Sequence, residues 1–202
     1  MDMTLEQQLE KIKSGKMYND LTEELIQARA DAVALTNQYN QSYGQPPQER
    51  EKILRQLLGA MGEDVFFEPS FRCEFGRHIK IGNHFYANFD CVMLDGGGIE
   101  IGDNVLFGPR VSIYTSRHAF DAEERSKGAC FAKPVKIGNN VWIGGGVHID
   151  CGVTIGDNTV IGAGSVITRD IPANVVAAGA PCKVIRKIRE DEKTGYLEEL
   201  NS

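Results

Sequence analysis

The feature that most constrains this chain is an aliphatic side chain that returns every six residues. The step runs without a slip through Ile137, Ile143, Ile149, Ile155, Ile161 and Ile167. Shorter runs keep the same step at Ile81, Ala87 and Met93, and at Ile101, Phe107 and Ile113. Glycine often follows directly, and then Asn or Asp, as in IGNH, IGDN and IGNN.

A period of six is wrong for a helix and too long for the simple alternation of a strand. It suits short strands separated by tight corners, where one aliphatic side chain points inward and Gly, Asn or Asp supplies unusual backbone angles. A fixed short period of this type predicts a parallel β-helix. A β-sandwich would show irregular strand spacing and hairpin turns instead.

The N-terminal 60 residues have a different pattern, which predicts helices. Apolar residues recur at helical spacing before Gly15, again between residues 21 and 35, and a third time before Gly59. From Val65 onward, valine, isoleucine and phenylalanine alternate with polar residues, so strands and turns are expected.

Composition narrows the class of protein. The 202 residues carry a formal net charge of -6, which argues against general nucleic-acid binding. No run is long and apolar enough to span a membrane, and the acidic, polar N-terminus is unlike a secretory signal. The five cysteines are scattered without a CxxC pair, which favours free thiols in a reducing cytoplasm over disulfides or a zinc site.

The six-residue step breaks between Ile113 and Ile137, where it would pass through Ala119, Arg125 and Phe131. An unpaired arginine inside a narrow aliphatic core would be very costly. The chain is therefore expected to leave the coil after about Tyr114 and to return near residues 134–137. A long polar excursion from a rigid scaffold is a candidate active site.

The excursion contains His118, whose neutral imidazole can accept a proton from a hydroxyl near neutral pH. The sequence chemistry alone also allows His118 to be a plain surface-loop residue. Cys130 lies in the same loop, but a loop cysteine without a defined base is weak support for a nucleophile. A serine acyl-enzyme is disfavoured because no GxSxG elbow is present.

These motifs resemble the hexapeptide-repeat acyltransferases, whose repeat is [Ile/Leu/Val]-Gly-x-x-x-x. Tyr114–Arg125, KPVKIGNNVWIGGG and the stretch from Gly152 to Ile188 are similar to the maltose and galactoside O-acetyltransferase branch, as are KIKSGKMYND and FYANFDCVMLD. The resemblance implies a left-handed parallel β-helix with a small N-terminal helical domain and a short C-terminal helix. It places the helical domain at residues 1–60, the β-helix at 61–188 with an excursion loop at 114–134, and a tail at 189–202.

The resemblance also implies a reaction. The acetyl group of acetyl-CoA passes directly to a hydroxyl of a sugar such as maltose, glucose or a galactoside, His118 acts as general base, and no metal is required. Such β-helices associate as homotrimers with active sites between subunits, so a neighbouring chain is expected to complete the site.

Four positions match sugar-binding residues of the family: Asp20, Glu74, Tyr86 and Asn88. The alternatives are an N-cap for Asp20, packing for Tyr86 and a corner position for Asn88. The sequence departs from some relatives at Gly96, where the galactoside branch carries a second acidic residue, and at Ala119, where proline is common. The acceptor therefore stays open.

Six positions match coenzyme A contacts of the family: Gly145, Ala163, Thr168, Arg169, Lys183 and Arg186. Gly145 replaces a serine found in some relatives, which leaves only its backbone to bind. Lys183 and Arg186 belong to a local basic cluster that suits phosphate. The alternative for that cluster is a solvated face of an amphipathic terminal helix.

Three alternatives to a sugar O-acetyltransferase are built on the same fold. A hexapeptide acetyltransferase could act on an amine, an antibiotic or an amino-acid hydroxyl, and a hexapeptide β-helix could be a non-enzymatic scaffold. A carbonic anhydrase on this fold needs three well-placed histidines, and the four histidines here lack a convincing ligand set.

Overall fold

The computed structural model describes residues 3–200. Helices come first, and their bounds are α1 (Leu5–Lys13), α2 (Glu23–Gln41) and α3 (Pro47–Leu57), with a short strand, β1 (Tyr18–Asn19), between the first two. Thr4 and Gln7 form a capping box at the start of α1, which satisfies main-chain donors of its first turn. Helix α2 continues through Tyr39, beyond the apolar stripe in the sequence that predicted it.

The rest of the chain winds into a solenoid of short strands. The first three coils are β2 (Ala60–Met61), β3 (Val65–Phe67) and β4 (Phe71–Cys73); β5 (Ile79–Ile81), β6 (Phe85–Ala87) and β7 (Cys91–Leu94); and β8 (Ile99–Ile101), β9 (Leu106–Phe107) and β10 (Ser112–Tyr114). The excursion follows, with β11 (Ser116–His118), α4 (Ala122–Ser126) and β12 (Ala129–Ala132). Two coils come next, with β13 (Val135–Ile137), β14 (Trp142–Ile143) and β15 (His148–Ile149), then β16 (Thr154–Ile155), β17 (Val160–Ile161) and β18 (Val166–Ile167). The last elements are β19 (Val175–Ala178), β20 (Lys183–Lys187), a 3₁₀ turn (Glu190–Glu192) and α5 (Tyr196–Glu199).

Equivalent strands of successive coils pair in parallel and build three faces. The first face has the order β16-β13-β8-β5-β2, the second β20-β19-β17-β14-β9-β6-β3, and the third β18-β15-β10-β7-β4. Register is kept at the repeat positions, for example Ile113 opposite Ile149 and Ile137 opposite Ile155. The repeat isoleucines of the last coils are 0–3% exposed, so one continuous apolar core runs along the axis.

The corner between the first and second faces, called the first corner, explains the Asn and Asp that follow glycine. Asn83 donates its main-chain N–H to Asp103 Oδ1 at 2.6 Å, Asp103 to Asn139 Oδ1 at 2.8 Å, and Asn139 to Asp157 Oδ1 at 2.6 Å. This ladder satisfies main-chain donors that the turn leaves unpaired. The next position in each coil has a left-handed backbone, as at Asn140 with φ 56°, which Asn tolerates better than most residues.

Helix α2 covers the open end of the solenoid. Asn40 receives the N–H of Phe71 and donates to its carbonyl, both at 2.9 Å. The Tyr39 hydroxyl does the same for Phe67, at 3.1 Å each way. These bonds satisfy edge groups of the first coil that would otherwise be unpaired and available to another chain. The helical domain is thereby fixed to the first coil.

The structure confirms the predicted fold class, a parallel β-helix with an N-terminal helical domain and a short C-terminal helix. The regular coils stop at Tyr114 and resume at Val135, with β11, α4 and β12 between them. Arg125 lies exposed on α4 and not in the core. The basic run at residues 183–187 is an antiparallel edge strand on β19 and not part of a terminal helix. Within residues 3–200, no helix has the length and apolar character needed to cross a membrane.

Candidate active site

The corner between the third and first faces, called the third corner, is where the repeat is irregular in three successive coils. Eight residues, instead of six, separate Cys73 from Ile81 and Met93 from Ile101, and 24 separate Ile113 from Ile137. Since the coils are stacked in register, these three insertions lie one above another. Together they form the polar region that holds the predicted base.

The main chain of the excursion positions His118. Strands β11 and β12 pair antiparallel with His118 opposite Cys130, and β1 of the helical domain pairs with the other edge of β12, Tyr18 opposite Cys130. Arg125 Nη1 donates to the carbonyls of Ala119 and Phe120, both at 2.9 Å, which holds the turn after His118. The imidazole itself is exposed, as a base that meets a diffusing substrate must be.

Two of the predicted sugar-binding carboxylates lie beside this strand pair. Arg29, on α2, forms ion pairs with Asp20 and with Glu74, the second with 3.1 Å between Nε and Oε1. Its two terminal nitrogens also donate to the Asp20 carbonyl at 3.1 Å. Asp20 is therefore not an N-cap, because the cap of α2 is Thr22. One guanidinium joins the two carboxylates.

Burial and the neighbouring positive charge have opposite effects on the pKa values of these two carboxyl groups. Desolvation raises the pKa of Asp20 and of Glu74, and the Arg29 charge beside them lowers both pKa values. His118 is close enough that its positive form also lowers the pKa of Asp20. His118 and the two carboxylates therefore belong to one electrostatic cluster.

Asp95 anchors the cluster and was not among the predicted site residues. It is fully buried and accepts main-chain N–H groups from Glu74 at 3.0 Å, Phe75 at 2.8 Å and His78 at 3.2 Å. Burial raises the pKa of this carboxyl. These hydrogen bonds attach the insertion of the first coil to the insertion of the second coil, to which Asp95 belongs. Its place in the sequence, two residues past the repeat position Met93 and at the start of an insertion, is the signal that could have found it.

Tyr18, also missed from the sequence, lies at the centre of the cluster. Its hydroxyl is 3.5 Å from Ser116 Oγ, and burial raises the pKa of the phenol. A Cβ on Gly96 would lie 2.7 Å from Ser116 Oγ and 3.2 Å from Glu74 Oε2. The absence of a side chain at Gly96 therefore leaves room that Glu74 uses.

The other two predicted sugar-binding residues lie elsewhere on the chain. Tyr86 is on the second face, where its ring stacks on Phe66 with centroids 6.1 Å apart and its hydroxyl is 3.5 Å from Glu68. Asn88 follows at the second corner, between the second and third faces, and its Oδ1 accepts the N–H of Phe89 at 2.9 Å. The chain therefore does not bring Tyr86 and Asn88 together with His118.

The predicted coenzyme A residues are also divided between different corners and faces of the solenoid. Gly145 and Ala163 lie at the second corner in successive coils, where Gly164 N–H donates to the Gly145 carbonyl at 2.9 Å. Thr168 and Arg169 follow β18 at the third corner and are exposed.

Lys183 and Arg186 lie on β20, at the end of the second face. Arg186 forms a two-pronged ion pair with Glu192, at 2.8 and 2.6 Å, and this pair lowers the pKa of Glu192 to about 2. A phosphate would therefore compete with Glu192 for Arg186, whereas no ion pair of Lys183 is present in residues 3–200.

Two corners of one triangular solenoid thus carry the candidate residues. The third corner holds His118, the two carboxylates, Thr168 and Arg169, and the second corner and the second face hold the other candidates. In the described part of the chain, no group of three or more His, Cys, Asp or Glu side chains is arranged to hold a metal ion.

Comparison with known proteins gives consistent matches. Residues 11–62 match the family model described as the maltose acetyltransferase hexapeptide capping motif, and residues 134–169 match that of the bacterial transferase hexapeptide, six repeats. A galactoside O-acetyltransferase of Escherichia coli K12 is 43% identical, over 94% of each chain.

Solved structures agree. The crystal structure of a maltose O-acetyltransferase from Clostridium difficile 630 is 50% identical, covers 93% of this chain and 99% of its own, and has a TM-score of 0.88. A galactoside acetyltransferase in complex with coenzyme A is 42% identical, covers 95% of this chain and 94% of its own, and has a TM-score of 0.87.

Proposed function

The chain belongs to the hexapeptide-repeat family of maltose and galactoside O-acetyltransferases, and we propose that it transfers the acetyl group of acetyl-CoA directly to a sugar hydroxyl with His118 as general base. The observation that carries this proposal is the exposed imidazole of His118, fixed by a strand pair beside two carboxylates suited to hydroxyl recognition.

The proton and the acetyl group move in one sequence. His118 takes the proton of the sugar hydroxyl as the oxygen attacks the thioester carbonyl carbon, and a C–O bond forms. The C–S bond then breaks, and the imidazolium gives its proton to the leaving thiolate. The products are the acetylated sugar and free coenzyme A. A positioned base of this kind contributes about 10²–10⁴-fold in rate, and holding both substrates together contributes further.

Asp20 and Glu74 are proposed to accept hydrogen bonds from sugar hydroxyls. Carboxylate oxygens are strong acceptors for such donors. Tyr86 and Asn88 are proposed to contact the same sugar from a neighbouring subunit, because within one chain they lie on the second face and at the second corner, away from His118. Coenzyme A is proposed to lie along Gly145, Ala163, Thr168 and Arg169, with Lys183 and Arg186 near its phosphates.

We propose that the chain forms a homotrimer, as the family resemblance implies, and the chemistry of its faces supports contact between copies. The outer side of the first face carries a charged row in which Glu100 lies 3.9 Å from Lys80 and 3.2 Å from Lys136, as suits a solvated face. On the second face, Trp142 and Leu106 are cross-strand neighbours that remain 55% and 49% exposed. A large apolar exposed patch typically marks an interface. We place this interface between copies of the chain.

We also place the enzyme in the cytoplasm, because its five cysteines are free thiols, as in proteins of reducing compartments. The division into a helical domain at 1–60, a β-helix at 61–188 and a tail at 189–202 is kept as part of the proposal.

The proposal is tested by free-thiol release from acetyl-CoA with a panel of mono- and disaccharides and simple amines. We expect sugar-dependent release by the wild type and a loss of about 10²–10⁴-fold in His118→Ala with coenzyme A binding retained. His84→Asn is the matched control, because His84 is exposed, pairs with Asp64 at 3.0 Å and has a left-handed backbone that Asn tolerates. Amine-dependent release would favour a non-sugar acceptor. No release and no coenzyme A binding would favour a scaffold.

A further inference from the structure

Arg29 is the one cation that ion-pairs with both Asp20 and Glu74 in residues 3–200, and it reaches them from a third element, helix α2. Asp20 follows β1, and Glu74 belongs to the first-coil insertion. The side chain of Arg29 is 24% exposed, and its guanidinium carbon lies 5.5 Å from the centroid of the Phe75 ring. The planar guanidinium is therefore fixed on one face by the Phe75 ring and at its edge by the two carboxylates.

Each carboxylate keeps acceptor capacity after Arg29 is bound. Arg29 uses Oδ1 of Asp20 and Oε1 of Glu74. Oε2 of Glu74 accepts the Gly96 N–H at 3.2 Å and has a second lone pair. In the described residues, Oδ2 of Asp20 has no protein hydrogen bond. Two acceptor oxygens at a fixed separation suit two hydroxyls of one polyol.

We propose that Arg29 is a positioning residue for the acceptor: it holds Asp20 and Glu74 as a paired acceptor for two hydroxyls of the same sugar. This inference rests on the proposed function and deepens it, because it names the recognition element as a carboxylate pair and assigns its geometry to the helical domain. Removal of Arg29 leaves two part-buried carboxylates facing each other, and like charges at short range repel.

The test compares Arg29→Gln and Arg29→Lys with wild type in the full chain, with the KM of the sugar, the KM of acetyl-CoA and kcat measured separately. Arg29→Gln should raise the sugar KM by about 10–100-fold and leave the acetyl-CoA KM within about twofold. Arg29→Lys keeps the charge but cannot serve both acids with a planar fork, so its sugar KM should rise less, by about fivefold. Arg55→Gln is the matched control, because Arg55 is an exposed arginine of α3 whose ion pair is with Glu51.

A pH readout separates positioning from a purely structural role. Sugar binding is measured calorimetrically in the His118→Asn protein loaded with coenzyme A, so that the base does not titrate. The charged and titratable groups facing the pair are Arg29, Asp95, Tyr18, Cys130 and, before its replacement, His118. In Arg29→Gln, nothing offsets burial, which raises both carboxyl pKa values. As the pH is lowered, sugar binding should therefore be lost at a higher pH than in the protein that keeps Arg29. A pH dependence unchanged by Arg29→Gln would contradict the proposal.

Combining Arg29→Gln with substitutions of the two carboxylates tests whether Arg29 acts through them. In an Asp20→Asn/Glu74→Gln background, Arg29→Gln should change the sugar KM by less than about threefold, because its partners are already neutral. If the wild type acts on sugars and both Arg29 variants keep its sugar KM, this inference is wrong and the proposed function stands. If Arg29→Gln does not fold, a sugar KM equal to wild type in Arg29→Lys overturns it. A wild type inactive on every sugar overturns the proposed function, and this inference with it.

Discussion

His118 lies directly opposite Cys130 across the antiparallel pair of β11 and β12, and Cys130 is also the cross-strand partner of Tyr18 from the helical domain. The position of His118 therefore depends on main-chain pairing among three segments of the chain, β1, β11 and β12. The thiol of Cys130 is buried, donates to the Arg117 carbonyl at 3.2 Å, and has a pKa raised by burial. A protonated, buried thiol is a structural group and not a nucleophile.

Cys130→Ser tests that conclusion. The hydroxyl can keep the bond to the Arg117 carbonyl, so we expect kcat/KM within about threefold of wild type. Steady-state kinetics with the preferred sugar measure the effect. A loss comparable to that of His118→Ala would instead make Cys130 a covalent participant.

Mixing two inactive variants tests whether subunits share a site. His118→Ala lacks the base, and a Tyr86→Ala/Asn88→Ala variant lacks residues on the other corner. If each site takes one set from each of two neighbours, random co-assembly should restore about a quarter of all sites, and about a third of the sites in mixed trimers. Co-expression with two affinity tags isolates the mixed assemblies. Mixed assemblies with no activity would place both sets in one chain's site or in none.

Gly96→Ala should weaken sugar binding without unfolding the protein. The added Cβ would press on Ser116 Oγ at 2.7 Å and Glu74 Oε2 at 3.2 Å, which are movable side-chain atoms. We expect a sugar KM raised by about tenfold and an unchanged Tm. Gly97→Ala is the contrast, because its Cβ would lie 2.8 Å from the Lys133 main chain and should lower Tm. A lowered Tm for Gly96→Ala, or an unchanged Tm for Gly97→Ala, would contradict the structure of this corner.

Asn140 tests the strain at the first corner. Both Asn140→Gly and Asn140→Ala lose the Asn104 Nδ2 bond of 3.2 Å, but Ala must also hold a φ of 56°. Asn140→Ala should therefore be less stable than Asn140→Gly by about 1–2 kcal/mol, measured by denaturant unfolding. Equal stabilities would show that the left-handed backbone is not retained.

Thiol labelling reports burial and its pH dependence. Cys91 is 1% exposed and burial raises its pKa to about 11, whereas Cys151 is partly exposed. In the native protein near neutral pH, a thiol reagent should modify Cys151 well before Cys91, because the thiolate is the reactive form. The Cys91 rate should rise with pH up to its pKa. Mass spectrometry of digests assigns each site, and early modification of Cys91 would show that the second coil opens.

The sequence alone determined the solenoid and its interruption, and it pointed to His118 as the candidate base. A fixed step of six encodes which side chain of each rung points inward and where glycine, Asn or Asp must turn, and those are local constraints. The same step identified the excursion, because its phase would have buried Arg125, and it thereby pointed to His118.

Only the tertiary structure decided how the site is assembled. Arg29 reaches Glu74 across 45 positions, and Tyr18 meets Ser116 across 98, distances at which no periodicity carries information. The stacking of coils decides that the insertions share one corner, and docking of α2 on the first coil decides that Arg29 joins two acids there. The stacking also places Tyr86 on the second face and Asn88 at the second corner, away from His118, because each side chain must follow the face to which its strand belongs.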